Sequence, residues 1–227
     1  MSAATRFAVY WAPERDDPLW TAGCDWLGRD PERRVVADTL RPNTDEPRRY
    51  GFHATLKAPM HLTDAADEPA LFGMVERLAA RTARFAMPVL EVAALRGFVA
   101  LRPTHPLATD HPLCRLANAC VTEIDILRRE PTTAELQRRT QSQTLGSHEA
   151  ALVQRWGYPH VFDQWQFHMT LSDNMPDLQA RERLHIGALR HFAPALIGPV
   201  VCESISVFVE PAPGASFVLA RRFALAR

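Results

Sequence analysis

The chain reads as an α+β protein of two halves: two pseudo-symmetric antiparallel sheets facing a central cleft, with helices on their outer faces. Three observations predict this. Two segments far apart in the sequence, "FHATL" from Phe52 and "FHMTL" from Phe167, carry one F-H-x-T-L pattern. Each is followed by an amphipathic helix and then two strand-like runs. A long helical stretch, about 106–160, separates the copies, so a single bilobal domain spans 1–227 with one lobe at about 1–105 and the other at about 161–227.

Each element has its own reason. "RFAVYWAP" (Arg6 to Pro13) alternates like a strand, and Asp17-Pro18 opens a helix through "LWTAGCDWLG", with proline in the first turn, where its missing N–H costs nothing. A polar loop, "RPNTDEPRR", leads to the strand "YGFHATLKAP". "DEPALFGMVERLAARTAR" then has helical period, and strands follow at Phe85 to Val92 and Gly97 to Arg102. The stretch between the copies contains the helical segments "PLCRLANACVTEIDILRR", "TTAELQRRTQ" and "SHEAALVQRWGYP". After the second motif strand, "WQFHMTLSDN", come the helix "MPDLQARERLHIGALRHF" and the strands "PVVCESISVFVEP" and "ASFVLARRFAL".

Composition excludes several classes. The 227 residues carry 26 basic and 26 acidic side chains, so no net field draws the protein to nucleic acid or an anionic membrane. Four scattered cysteines, with no C-x-x-C, suit neither a disulfide framework nor a thiolate zinc site. No run approaches the roughly 20 apolar residues that span a bilayer, and "MSAATRFAVYWAP" lacks a basic segment followed by an apolar one, so a cytoplasmic location is expected. The arginine pairs, including Arg138-Arg139 in "ELQRRTQ", are dispersed among acids and form no basic groove, which favours a small phosphorylated substrate over RNA.

Strand alternation puts His53, Thr55 and Lys57 on one face and Tyr50, Phe52, Ala54, Leu56 and Ala58 on the other; Gln166, His168, Thr170 and Ser172 share the polar face of the second strand. Two H-x-T-L copies would arise by chance on the order of 0.2% of the time. Two imidazoles across a bound group can act as base and acid together, and a threonine two residues on supplies a hydroxyl for phosphoryl oxygens. His53, His168, Thr55 and Thr170 are therefore the catalytic candidates; Lys57, Ser172 and Tyr10, which shares a face with Arg6 and Ala8, are the substrate-binding candidates. The other histidines fit no repeated pattern.

With both strands in view, the sequence resembles the two-histidine phosphoesterase superfamily, the LigT-like group that includes RNA 2',3'-cyclic phosphodiesterases and bacterial RNA 2'-5' ligase-like proteins. "RFAVYWAP", "RYGFHATLKAP", "WGYPHVF" and "FHMTLS" look like the branch encoded beside phosphonate-utilisation genes and known as a phosphonate metabolism protein. The resemblance implies metal-independent opening of a cyclic phosphodiester by His53 and His168, phosphoryl binding by Thr55 and Thr170, and no cofactor. Under the phosphonate association the substrate is a small sugar cyclic phosphate. Three alternatives stay open: action on RNA 2',3'-cyclic ends or 2'-5' ligation, a metal-dependent hydrolase, and a non-catalytic protein that binds a phosphoryl ligand.

Overall fold

The computed structural model describes residues 5–38, 40–95, 97–132 and 145–227. Strand β1 (Arg6–Trp11) is buried from Phe7 onward because a strand lies on each side of it. Helix α1 (Pro18–Leu27) starts where the Asp17 carboxylate accepts from the Leu19 N–H at 2.8 Å and stops at Gly28, in the left-handed region at φ 66°. A small ribbon, β2 (Arg29–Asp30) with β3 (Val35–Val36), and a short helix, α2 (Asp45–Tyr50), interrupt what the sequence reads as loop. Strand β4 (Ala54–Met60) starts later than expected, inside the first motif, with Phe52 and His53 just before it, and α3 (Glu68–Arg81) buries Leu71, Val75, Leu78 and Ala79, one stripe at helical spacing.

The expected strand at Phe85 to Val92 is two strands, because Pro88 cannot donate to a ladder. β5 (Phe85–Ala86) pairs with β9 (Val201–Cys202), while β6 (Leu90–Leu95) forms a hairpin with β7 (Phe98–Pro103). Helices α4 (Pro112–Ile124) and α5 (Ser147–Trp156) fill the stretch between the motifs; the segment expected to be helical at Arg138-Arg139 lies outside the described residues. The second motif strand is shorter than expected: β8 is Met169–Thr170 alone. The indole of Trp165 donates to the Thr55 carbonyl at 2.9 Å, and that side chain takes a place where a ladder bond would run. Helix α6 (Leu178–Phe192) and strands β10 (Ser204–Glu210) and β11 (Val218–Ala224) complete the chain.

Seven strands form one antiparallel sheet in the order β11-β10-β1-β4-β8-β7-β6. The α+β class and the two halves are as expected: β11-β10-β1-β4 and β8-β7-β6 meet at the single register pair Ala54↔Met169. The halves do not follow the split at about 1–105 and 161–227. The hairpin β6–β7, which follows the first motif, lies beside the second motif strand, and β10–β11 from the C-terminal part lies beside β1. The helices cross over correspondingly, α3 packing on β10 and β11 and α6 on β6 and β7. Each copy thus buries its helix against the other copy's hairpin, so neither sequence half has a complete core. No helix among the described residues is long and apolar enough to cross a membrane.

Candidate active site

The phenylalanine of each motif anchors its strand. Phe52 is fully buried in a socket beside Gly23 of α1, where a Cβ would stand 2.1 Å from the ring, and it stacks on Phe192. Phe167 packs on Trp11 with ring centroids 5.6 Å apart. The residue after each anchor is turned to the opposite side, into a pocket of about 350 Å³ lined by Arg6, Tyr10, Tyr50, His53, Thr55, Ala58, Pro59, Leu145, Val153, Tyr158, Pro159, His168 and Thr170.

The β4–β8 register explains why all four motif side chains meet. Ala54 is the one residue of β4 paired with β8, opposite Met169; the same register continued one step either way, to His53 and His168 just before their strands, brings His53 beside Thr170 and Thr55 beside His168. Opposed residues share a face, so the four side chains stand at the corners of a rectangle with the histidines on one diagonal. Its edges are roughly 5 Å across the strands and roughly 7 Å along them. An antiparallel pair of like motifs has two-fold symmetry, which makes the two corners of each kind equivalent.

The hydrogen bonds repeat as well. His53 Nδ1 lies 2.8 Å from the Gly51 carbonyl, and His168 Nδ1 lies 2.9 Å from the Gln166 carbonyl, two residues back in each case. A carbonyl only accepts, so both rings carry hydrogen on Nδ1 and, when neutral, keep the lone pair on Nε2. The Thr55 hydroxyl is 3.4 Å from His53 Nε2. The environments differ. Tyr10 stacks on His53 with centroids 3.7 Å apart, and Phe208 lies 6.1 Å away. This burial lowers His53 to about 4, its bond to Gly51 opposing and a charge on His168 adding to the shift. Burial also lowers His168, against its bond to Gln166. His168 borders a second cavity of about 530 Å³ between β7, α4 and the segment before β8, lined in part by Arg102, His105 and Trp165.

Two expected ligands stand elsewhere. Strict alternation would keep Lys57 on the face of Thr55, but a bulge sets Thr55 opposite Tyr10 and Lys57 opposite Val9, on the other face. Lys57 is 4% exposed, bonded to Asp125 at 2.9 Å and to the Val121 carbonyl at 3.2 Å. Ser172 is also turned away, since the strand ends at Thr170. Its hydroxyl accepts from Val99 N at 2.9 Å and donates to the Asp173 carbonyl at 2.8 Å. Tyr10 does line the pocket, fully buried behind His53, and burial raises its phenol well above the usual range.

Among the lining residues that sequence reasoning missed, Tyr50, Tyr158 and Arg6 carry polar groups. Tyr50, read as a core position, ends α2, and Gly51 at φ 83° turns the chain before the strand begins, so its side chain enters the pocket. Tyr158 follows the α5 terminator Gly157; its sole sequence signal was its place in "WGYPHVF". Arg6 was visible as the face-mate of Tyr10 and now stands as the one permanently charged residue in the described lining. Among the described residues no three His, Cys, Asp or Glu side chains cluster as metal ligands would.

Over residues 55–218 the sequence matches the family described as "Protein of unknown function (DUF1045)". The chain belongs to this family. Two curated relatives are named ribose 1,5-bisphosphate phosphokinase PhnN. One, from Janthinobacterium sp. (strain Marseille), is 35% identical over 94% of this chain and 49% of its own length; the other, from Laribacter hongkongensis (strain HLHK9), is 38% identical over 95% and 51%. The chain thus spans about half the length of the curated relatives it matches. Among solved structures, E. coli LigT complexed with phosphate is similar at TM-score 0.47 and 16% identity, with both chains covered completely.

Proposed function

We infer that the protein opens a small cyclic phosphodiester to a phosphomonoester, with His53 and His168 as general base and general acid. The observation that carries this is the diagonal pairing of the two histidines, each presenting Nε2 to one pocket and each followed by a threonine on the same face. Water attacks phosphorus and gives its proton to one Nε2. The other imidazolium gives its proton to the sugar oxygen as the ring P–O bond breaks, and Thr55 and Thr170 donate to the non-bridging oxygens. Burial keeps both rings neutral in the free protein, and an anionic phosphate raises both. A charge on His168 opposes a charge on His53, which favours one proton shared by the pair, as an acid and a base require.

The relatives' name suggests a substrate. An esterase supplying ribose 1,5-bisphosphate to a kinase would open the 1,2-cyclic phosphate of ribose 5-phosphate. This chain's one lysine, Lys57, is buried on Asp125 and stands in no G-x-x-x-x-G-K-[ST] loop. A second reading, the 2',3'-cyclic end of an RNA, is favoured by the cavity beyond His168, which has room and aromatic walls for a base.

The test follows phosphorus NMR of these cyclic phosphates with EDTA present. Conversion is expected, with His53→Ala and His168→Ala each slower by roughly 10²- to 10⁴-fold and the threonine variants less affected. Binding without conversion favours a sensor, loss of activity in EDTA favours a metal hydrolase, and near-normal turnover in either histidine variant refutes the acid-base pair.

A further inference from the structure

Arg6 sits in the pocket wall with its Nε bonded to Glu210, its partner across the β1–β10 ladder. Glu210 is fully buried and also binds Arg49, whose guanidinium stands 5.5 Å over the Tyr50 ring. Burial alone would raise the Glu210 carboxyl, but the two arginine bonds outweigh it and hold it below the usual range. Two guanidinium groups on one carboxylate leave one positive charge. The bond to Glu210 uses Nε, and the guanidinium stands 5.6 Å over the Phe217 ring beside the Tyr50 phenol, so the terminal nitrogens of this pocket-lining arginine are not taken up by the carboxylate.

This charge stands apart from the motif rectangle. Tyr10 is opposite Thr55, and Arg6 lies four residues back along β1, roughly 13 Å from it at the Cα atoms. The arginine side chain spans part of that interval, and a sugar ring is of the size to fill the rest. The two histidines with their threonines already supply donors for one phosphoryl group, whereas the cation lies at the other end of the same pocket. We propose that Arg6, oriented by Glu210 and joined by Tyr50, binds a second phosphoryl group on the substrate, so that the protein selects a sugar cyclic phosphate that also carries a phosphomonoester.

The proposal deepens the reading above and rests on it for the place of the first phosphoryl group. Its test is an affinity ratio, which needs no turnover. The 1,2-cyclic phosphates of ribose 5-phosphate and of ribose are titrated by calorimetry into a His53→Gln/His168→Gln protein, with and without Arg6→Gln. The compound with two phosphoryl groups is expected to bind more tightly, and Arg6→Gln to reduce that preference by about 10- to 100-fold, the loss of one charge-assisted contact. Arg6→Lys keeps a cation against Glu210 if the glutamine variant does not fold, and it should lose part of the preference because it lacks the planar fork. A ratio unchanged by both variants, or no binding of either compound, overturns the proposal. Wild-type protein that binds with an Arg6-dependent preference but converts neither compound refutes the phosphodiesterase reading alone.

Discussion

Burial of His53 couples the stability of the fold to pH. The ring is stacked under Tyr10 and lowered from 6.5 to about 4, so it is neutral in the folded protein where the unfolded chain would already be protonated. The unfolded state therefore binds more protons between those two values, and stability is present above about pH 6.5 and lost as pH falls towards 4. At about 1.4 kcal/mol for each unit, the full loss from this one group is about 3 kcal/mol. Other groups contribute in acid: His168 in the same direction, and Asp125, Glu32 and Glu210 below their own range. The difference between wild type and His53→Gln isolates the histidine. Urea denaturation at pH 7, 6, 5 and 4 should show the wild type losing about 3 kcal/mol more than the variant over that span, while an NMR titration places the His53 midpoint near 4. Parallel curves for the two proteins, or a midpoint near 6.5, would refute the reasoning. Phosphate in the pocket should move the midpoint upward, since an anion favours the charged ring.

Three further outcomes follow from the packing. Asp125→Ala leaves the Lys57 ammonium buried without its counter-charge and should cost about 3–5 kcal/mol; Lys57→Met should cost less, because Arg128 still holds Asp125 at 2.7 Å, and should leave turnover within about threefold. A large loss of kcat in Lys57→Met would restore Lys57 to the site. Ser172→Ala strands the Val99 N–H and should cost about 1–3 kcal/mol in chemical denaturation without changing KM. Gly23→Ala drives a methyl into the Phe52 ring, for a cost of about 1–3 kcal/mol and a displaced His53; a variant with unchanged melting temperature and activity would show that the socket is not tight.

Of the pocket, the sequence displayed the part that repeats. A histidine and a threonine two residues apart on a strand share a face by backbone geometry, so the motif residues could be grouped without coordinates. Lys57 and Ser172 looked equally well placed, but a bulge after Thr55 and the end of β8 at Thr170 break the alternation on which that reading depends. Tyr50 failed in the opposite sense, because Gly51 at positive φ separates it from the strand's period. Tyr158 has no signal beyond its place in "WGYPHVF" and Glu210 has none, since what places them is packing against distant segments.

By itself the sequence determined the α+β class, the helix opening at Asp17-Pro18, the amphipathic helix after each motif, and the repeat of the motif itself. These depend on interactions within a few residues of chain, which periodicity and capping chemistry express directly. Only the tertiary structure decided that the copies exchange hairpins, that β4 and β8 lie side by side at Ala54 and Met169, and that one carboxylate at Glu210 gathers Arg6 and Arg49 beside the pocket. Those pairings join residues from 68 positions apart, Leu101 with Met169, to 204 apart, Arg6 with Glu210, and they are selected by which arrangement buries both cores at once.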